Sequence, residues 1–340
     1  MTLAGTICLV SCTDAPAPGA AGESRSRAAR LEGEIKIDGS STVYPITEAV
    51  AEEFRKVAPR VNVTVGVSGT GGGFKRFTKN DTDISDASRP IKDSEFRIAR
   101  ENKVEFIEIP VAYDGLTIVV NHDNTWATSL TVDDLRKIFL DGTMAYSWKD
   151  VNASYPDVPI KIYAPGTDSG TFDYFKEVVA GKAGTIRSDM SVSEDDNVLV
   201  RGVMGDQGAI GFFGCSYYFE YQDKLRAVAI VNPATTAAVI PTTDTIEDGT
   251  YAPFSRPLLI YVNAVAAKRP EVKAFVEFYL RKAPELVTEV KYVQLPKAAY
   301  DLARANLKGG VTGTYFMDDT MEKRSGALGA LFTPEAKPTR

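Results

Sequence analysis

The chain has 340 residues, 44% hydrophobic and 25% charged, with 39 basic against 45 acidic side chains and a net charge of −6. That is enough chain and apolar surface for a buried core and for more than one domain. The acidic balance argues against nucleic acid as a partner but not against a small anion, which oriented amides and an arginine can neutralise locally. His122 is the sole histidine, and the cysteines are Cys8, Cys12 and Cys215. A disulfide framework, a multi-histidine metal site and a histidine-dependent triad therefore all lack their parts, and neither metal nor cofactor is expected.

The first residues are small and apolar, end in Leu9-Val10-Ser11-Cys12 and are followed by an Ala/Pro/Gly/Ser-rich stretch to about Ala29. This is similar to a bacterial lipoprotein signal, in which Cys12 is the lipidated residue, although the basic region that opens such a signal is missing and a start further upstream is expected to supply it. Residues 1–33 are accordingly read as signal and flexible linker. No other stretch is apolar for long enough to span a bilayer.

Residues 34–38 alternate as a short strand and lead into Asp38-Gly39-Ser40-Ser41-Thr42. Ile46, Val50, Phe54 and Val57 then recur at helical spacing over 43–57, with Pro45 in the first turn and Pro59 beyond the end. The β-branched run 61–67 delivers the chain to Ser68-Gly69-Thr70-Gly71-Gly72-Gly73. A short strand within 82–90 ends in a polar turn at Ser88-Arg89-Pro90, and the spacing predicts a helix over 93–102 and a strand over 104–112. Residues 116–120 and 258–262 are continuous apolar strands. Between them lies a second α/β set: a helix over 132–140, the Trp148 loop, a strand at 160–163, the loop Ala164-Pro165-Gly166-Thr167-Asp168-Ser169-Gly170-Thr171 opening a helix, another helix opened by Asp195, and a strand at 209–213. His122-Asp123-Asn124 reads as a turn. The remainder is mostly helical, with separate helices expected over 270–281, 284–292 and 297–306. One domain is thus inserted into another, with crossings at Tyr113-Asp114-Gly115 and Phe254-Ser255-Arg256-Pro257.

Three small-hydroxyl loops stand at strand-to-helix junctions. A helix start offers unpaired N–H groups and the positive end of its dipole, and Ser and Thr hydroxyls beside it add donors. One such loop is as well explained by an ordinary N-cap, here Asp168 or Ser169. Three of them can together surround one compact oxyanion. Arg89 offers a bidentate guanidinium, or else an ion pair with one of the many nearby acids. A phosphatase would need a nucleophile with a base or a metal, and the sequence offers neither, so a binding protein is expected rather than an enzyme.

The chain resembles the substrate-binding protein of the bacterial high-affinity phosphate ABC transporter, the PstS/SphX type. The residues that carry this are Gly39-Ser40-Ser41-Thr42-Val43-Tyr44-Pro45, Ser68 to Gly73, Asp83-Ile84-Ser85-Asp86-Ala87-Ser88-Arg89, Pro110 to Leu116, Pro165 to Phe172 and Gly208 to Phe212. The resemblance implies a type II periplasmic-binding-protein fold, two α/β lobes each with a mixed sheet flanked by helices, and a ligand cleft between them. Lobe I would be 34–112 plus 258–335, and lobe II 113–257. Residue by residue it implies phosphate held by Ser41, Thr42, Ser68, Thr70, Ser169, Gly170 and Thr171, with Ser88, Arg89 and Asp168 added as candidates, and delivery to a membrane permease by a monomeric periplasmic or cell-surface protein. In well-known members an arginine lies shortly before the Ser-Gly-Thr, where this chain has Pro165, and a carboxylate lies where it has Ser88. Arg89 is expected to supply the guanidinium, and Asp86 or Asp168 the carboxylate that tells protonated phosphate from sulfate. A sulfate, molybdate or tungstate protein is the alternative that lacks this acid.

Overall fold

The computed structural model describes residues 29–340, apart from Met144, Asp168, Lys182, Ala183, Glu194 and Ser325. Cys12 and Asp168 lie outside the described residues.

The first lobe is built from parallel β-α-β units. β1 (Glu32–Gly39) and β2 (Arg60–Val67) pair in parallel, connected by α1 (Tyr44–Val57). The helix buries Ile46, Val50 and Phe54, which the 3.6-residue period brings to one face, and Pro45 sits in its first turn where its missing N–H costs nothing. α2 (Gly69–Phe77) buries Phe74 and Phe77. β3 (Ile84–Ala87) pairs with the other edge of β1 and leads through α3 (Asp93–Glu101) to β4 (Phe106–Asn121). The second set follows as β5 (Ser129–Leu130), α4 (Val132–Phe139), β6 (Lys161–Pro165), α5 (Gly170–Val179), β7 (Ser191–Ser193), α6 (Asp196–Met204), β8 (Ala209–Gly214) and β9 (Leu225–Ala227). β10 (Ala229–Val231) and β11 (Ala238–Val239) form a small sheet with β5. The chain then returns through β12 (Ser255–Asn263) to α7 (Pro270–Glu289) and α8 (Lys297–Gly309). The main sheet runs β2-β1-β3-β12-β4-β8-β6-β7, with β9 also on β4.

β4 joins the two lobes. Residues 106–115 pair with β12 and residues 116–121 with β8 and β9, and all sixteen positions are buried. Two strands with a crossing at Tyr113-Asp114-Gly115 were expected, but the crossing itself is extended. Its backbone groups are taken on both sides: Pro257, Arg256 and Ser255 face it in the β12 register, and Tyr113 exchanges hydrogen bonds with Val293 at 2.8 and 3.1 Å. A ladder with partners on both sides leaves no reason to break.

The downstream helices differ from expectation in the same way. Pro284 lies inside one continuous helix, α7. A proline there leaves the carbonyl four residues back without its N–H partner. That carbonyl belongs to Leu280, and the Arg304 guanidinium of α8 donates to it at 3.0 Å. Tertiary contact supplies the missing donor, so the helix continues. Among the described residues no helix is long and apolar enough to cross a membrane. His122 is an exposed turn residue and Cys215 is buried and free.

Candidate anion-binding site

The loops after β1, β2 and β3 meet the start of α5 at a cavity of about 140 Å3. Its wall is Ser40, Ser41, Thr42, Gly69, Thr70, Ser88, Arg89, Asp173, Tyr174, Glu177 and Arg256. Sites for drug-sized molecules run to roughly 300–1,000 Å3, so this one suits a small ion. A hollow of about 480 Å3 lies elsewhere on the first lobe, but its Arg269 is already paired with Asp83 and Glu271.

The backbone geometry follows from two glycines. Gly39 has φ +149, and a Cβ there would lie 2.1 Å from the carbonyl oxygen of Asp86, so only glycine lets β1 turn this tightly against β3. The turn brings the Ser40 N–H to that carbonyl at 2.9 Å, and Ser40 Oγ accepts from the Thr42 N–H at 3.2 Å. Gly170, the first residue of α5, lies against Thr42, where a Cβ would come within 2.4 Å of Oγ1 and 2.7 Å of the backbone N. The two lobes touch at this point.

The structure brings Ser41, Thr42, Thr70, Ser88 and Arg89 to the cavity wall. Thr70 and Ser88 share a hydroxyl contact of 3.0 Å, and the Ser88 N–H donates to Thr70 Oγ1 at 3.2 Å, which ties the second loop to the third strand. Ser68 is exposed at the N-cap position of α2 and lies off the wall. Ser169 caps α5, its Oγ accepting from the Thr171 N–H at 3.2 Å, and the wall contributed by that helix is Asp173, Tyr174 and Glu177 rather than residues 169–171. Arg89 is held by Glu95 through two bonds of 2.8 Å, with only 19% and 15% of the two side chains exposed, and its Nη1 also donates to the Pro90 carbonyl. The ion pair considered for it from sequence is thus present, on the wall of the cavity.

Asp86 is not placed to accept a proton from an anion here. Its strand position turns the carboxyl away from the cavity toward α1 and α7, where it is buried with neither oxygen hydrogen-bonded. Burial pushes it up to about 7, and Asp38 adds to the rise. The nearby Thr47 hydroxyl opposes the shift, but that hydroxyl is engaged with Tyr279 at 3.1 Å. Two acids do line the cavity, Asp173 and Glu177 of α5. Asp173 is exposed, yet partial desolvation raises its pKa and Glu177 adds to this, while Lys176 and Arg256 oppose it.

Arg256 is the charged donor that the sequence did not single out for the site. It stands opposite Asp114 in the β12–β4 register, with Nε and Nη2 each 3.2 Å from one Asp114 oxygen. Its guanidinium carbon is 3.5 Å from the centroid of the Tyr174 ring, and the Tyr174 hydroxyl donates to the Pro253 carbonyl at 2.7 Å. Asp114 is buried, which raises its pKa, and the adjacent guanidinium pulls it back. Arg256 was visible from sequence only as part of a crossing segment; its nearness to Thr42 depends on strand register.

The profile of the PBP superfamily domain matches residues 19–283. The protein SphX of Synechococcus elongatus is 51% identical over 284 residues, 83% of each chain. The chain belongs to this family. The phosphate-binding protein PstS of Staphylococcus saprophyticus is 40% identical, covering 81% of this chain and 85% of that one. A crystal structure of a possible phosphate binding protein from Planctomyces limnophilus aligns at 45% identity with a TM-score of 0.80, over 83% of this chain and 99% of the other. The two-lobed α/β architecture expected from sequence is the fold that these members share with it.

Proposed function

We propose that the protein binds inorganic phosphate in the 140 Å3 cavity and hands it to the permease of an ABC transporter. The observation that carries this is the composition of the wall: serine and threonine hydroxyls and helix-start amides from one lobe face the acid Asp173 on the other. Donors alone accept any tetrahedral oxyanion. A carboxylate is acceptor-only when ionised, so it welcomes an anion that still carries a proton and repels one that does not. Phosphate at neutral pH keeps a proton and sulfate does not, which favours phosphate over the sulfate, molybdate or tungstate alternative. Ser41, Thr42, Thr70 and Ser88 are the proposed hydroxyl contacts. Gly170 and Thr171, which lie off the wall here with the Thr171 N–H held by Ser169 Oγ, are proposed to turn amides to the ligand as the lobes close. Lobes of 34–112 plus 258–335 and of 113–257 close on the ligand by hinge motion at β4 and β12. A location outside the inner membrane, as a monomer tethered through Cys12, completes the reading. The named relatives point the same way, since two are a phosphate-binding protein PstS and a possible phosphate binding protein.

The test is calorimetric titration of phosphate-stripped protein, with sulfate as competitor at several pH values. One phosphate per chain and a rise in melting temperature with ligand are expected, and sulfate should compete worst where phosphate is most fully protonated. No heat and no thermal shift at saturating phosphate would end the assignment.

A further inference from the structure

Resting on the phosphate reading, we infer that Arg256 is the guanidinium that binds the anion, and that its seat on a crossover strand makes it the group through which occupancy draws the lobes together. A small oxyanion bound among hydroxyls and amides gains most from charge-assisted donors. Two arginines line this one. Arg89 has both terminal nitrogens committed to Glu95, and one of them also to the Pro90 carbonyl. Arg256 is more deeply placed, 11% exposed, and is anchored on one side only: Nε and Nη2 bond Asp114. Its Nη1 makes no hydrogen bond among the described residues; its nearest carboxylate is Glu177 at 3.7 Å. Asp114 fixes the fork, the Tyr174 ring supports its face, and the remaining edge is left to a ligand.

The position adds a mechanical property. Arg256 belongs to β12 and faces Asp114 of β4, and these two strands carry the chain between the lobes. From there Nη2 reaches Thr42 Oγ1 at 3.4 Å on one wall, while Tyr174 and Glu177 belong to the other. A ligand contact made by this side chain is made by the hinge itself, so it is strongest when both walls have closed around the ion. A ligand shifts such an equilibrium only by its differential affinity for the two states.

The test uses the full chain stripped of phosphate, as wild type, Arg256→Gln, Arg256→Lys and Arg89→Gln. Each is titrated calorimetrically with phosphate and with sulfate, and small-angle scattering is recorded with and without ligand. Arg256→Gln should weaken phosphate binding by about a hundredfold or more, and Arg256→Lys by at least about tenfold, because a point charge lacks the fork. Arg89→Gln should cost less than about tenfold, as expected for an arginine already paired. At saturating phosphate Arg89→Gln should compact as the wild type does, whereas Arg256→Gln should compact less. Equal losses in the two Gln variants, or a larger loss in Arg89→Gln, overturn the inference. Full compaction of ligand-saturated Arg256→Gln overturns the hinge role. If Arg256→Gln fails to fold, Arg256→Lys decides, and wild-type affinity there overturns the assignment. Wild-type protein that binds sulfate in place of phosphate sinks the phosphate reading alone, and the same variants are then compared with sulfate. Wild-type protein that binds neither anion overturns both.

Discussion

The two walls of the cavity are built on different principles. The wall from the first lobe, residues 40–42, 69–70 and 88–89, presents hydroxyls and amides held by short local bonds, such as Ser40 to Thr42 and Thr70 to Ser88. The facing wall presents Asp173, Tyr174, Glu177 and Arg256, held by contacts between residues up to 214 positions apart. On the proposed reading, the first wall's hydroxyls and amides attract any small anion. The facing wall adds Arg256 for affinity and acids that respond to the anion's protonation, and both depend on the walls meeting.

The sharpest way to break that arrangement is to keep the walls apart. Gly170→Ala would push a Cβ to within 2.4–2.9 Å of Thr42 Oγ1, N and Cα, and two of those atoms are backbone. Overpacking of this kind costs about 1–3 kcal/mol. Phosphate affinity should therefore fall about tenfold to a hundredfold, while the melting temperature of ligand-free protein changes little, because the proposed open state separates Gly170 from Thr42. An equally large drop in ligand-free stability would show that Gly170 serves the fold rather than closure.

Less disruptive is a change confined to the charged wall. Asp173→Asn replaces one acceptor-only charge with an amide that can also donate, and leaves the hydroxyl wall and Glu177 intact. The loss of one charge-assisted hydrogen bond, about 1.5 kcal/mol, should lower phosphate affinity about tenfold and raise that for sulfate, since the amide can donate to an unprotonated oxygen. Competition titrations at fixed pH measure both. Unchanged discrimination between the two anions would remove Asp173 from the selectivity role.

The same division explains what was legible in the sequence. Two of the hydroxyl loops are contiguous strand-end motifs with a glycine, so Ser41, Thr42 and Thr70 could be picked out one loop at a time, whereas Ser88 follows β3 with no glycine. The strands and helices that carry them follow period-2 and period-3.6 patterns that need no partner to be read. Arg256 and Asp114 meet only through the register of two antiparallel strands, and a register is a long-range property. Asp173 stood within the third loop's helix but four residues past Ser169, where helical geometry turns it to the wall. Pro284 misled for a related reason: the donor that replaces its N–H comes from another helix.

The mildest expected effect on binding comes from the other unusual carboxyl, and it tests whether the two acids differ as their positions imply. Asp86 lies buried off the wall and is pushed from 3.8 up to about 7, chiefly by burial. A group whose folded pKa is raised favours the folded state when protonated: its contribution is fully present below about 4 and is lost as pH rises to about 7. At about 1.4 kcal/mol per pH unit that loss is at most ~4 kcal/mol. Asp86→Asn should therefore leave phosphate affinity unchanged and flatten the fall in stability between pH 4 and 7, leaving the mutant more stable than wild type at pH 8. Some slope should remain, because Glu108 is also pushed to about 7 by burial, although Thr314, Tyr261 and the Tyr315 N–H hydrogen-bond it. Denaturant midpoints at pH 5 and pH 8 in phosphate-free buffer, with titrations on the same samples, separate the two roles. A large loss of affinity in Asp86→Asn with undisturbed stability would mean that Asp86 reaches the ligand after all, and that the acid wall does not act alone.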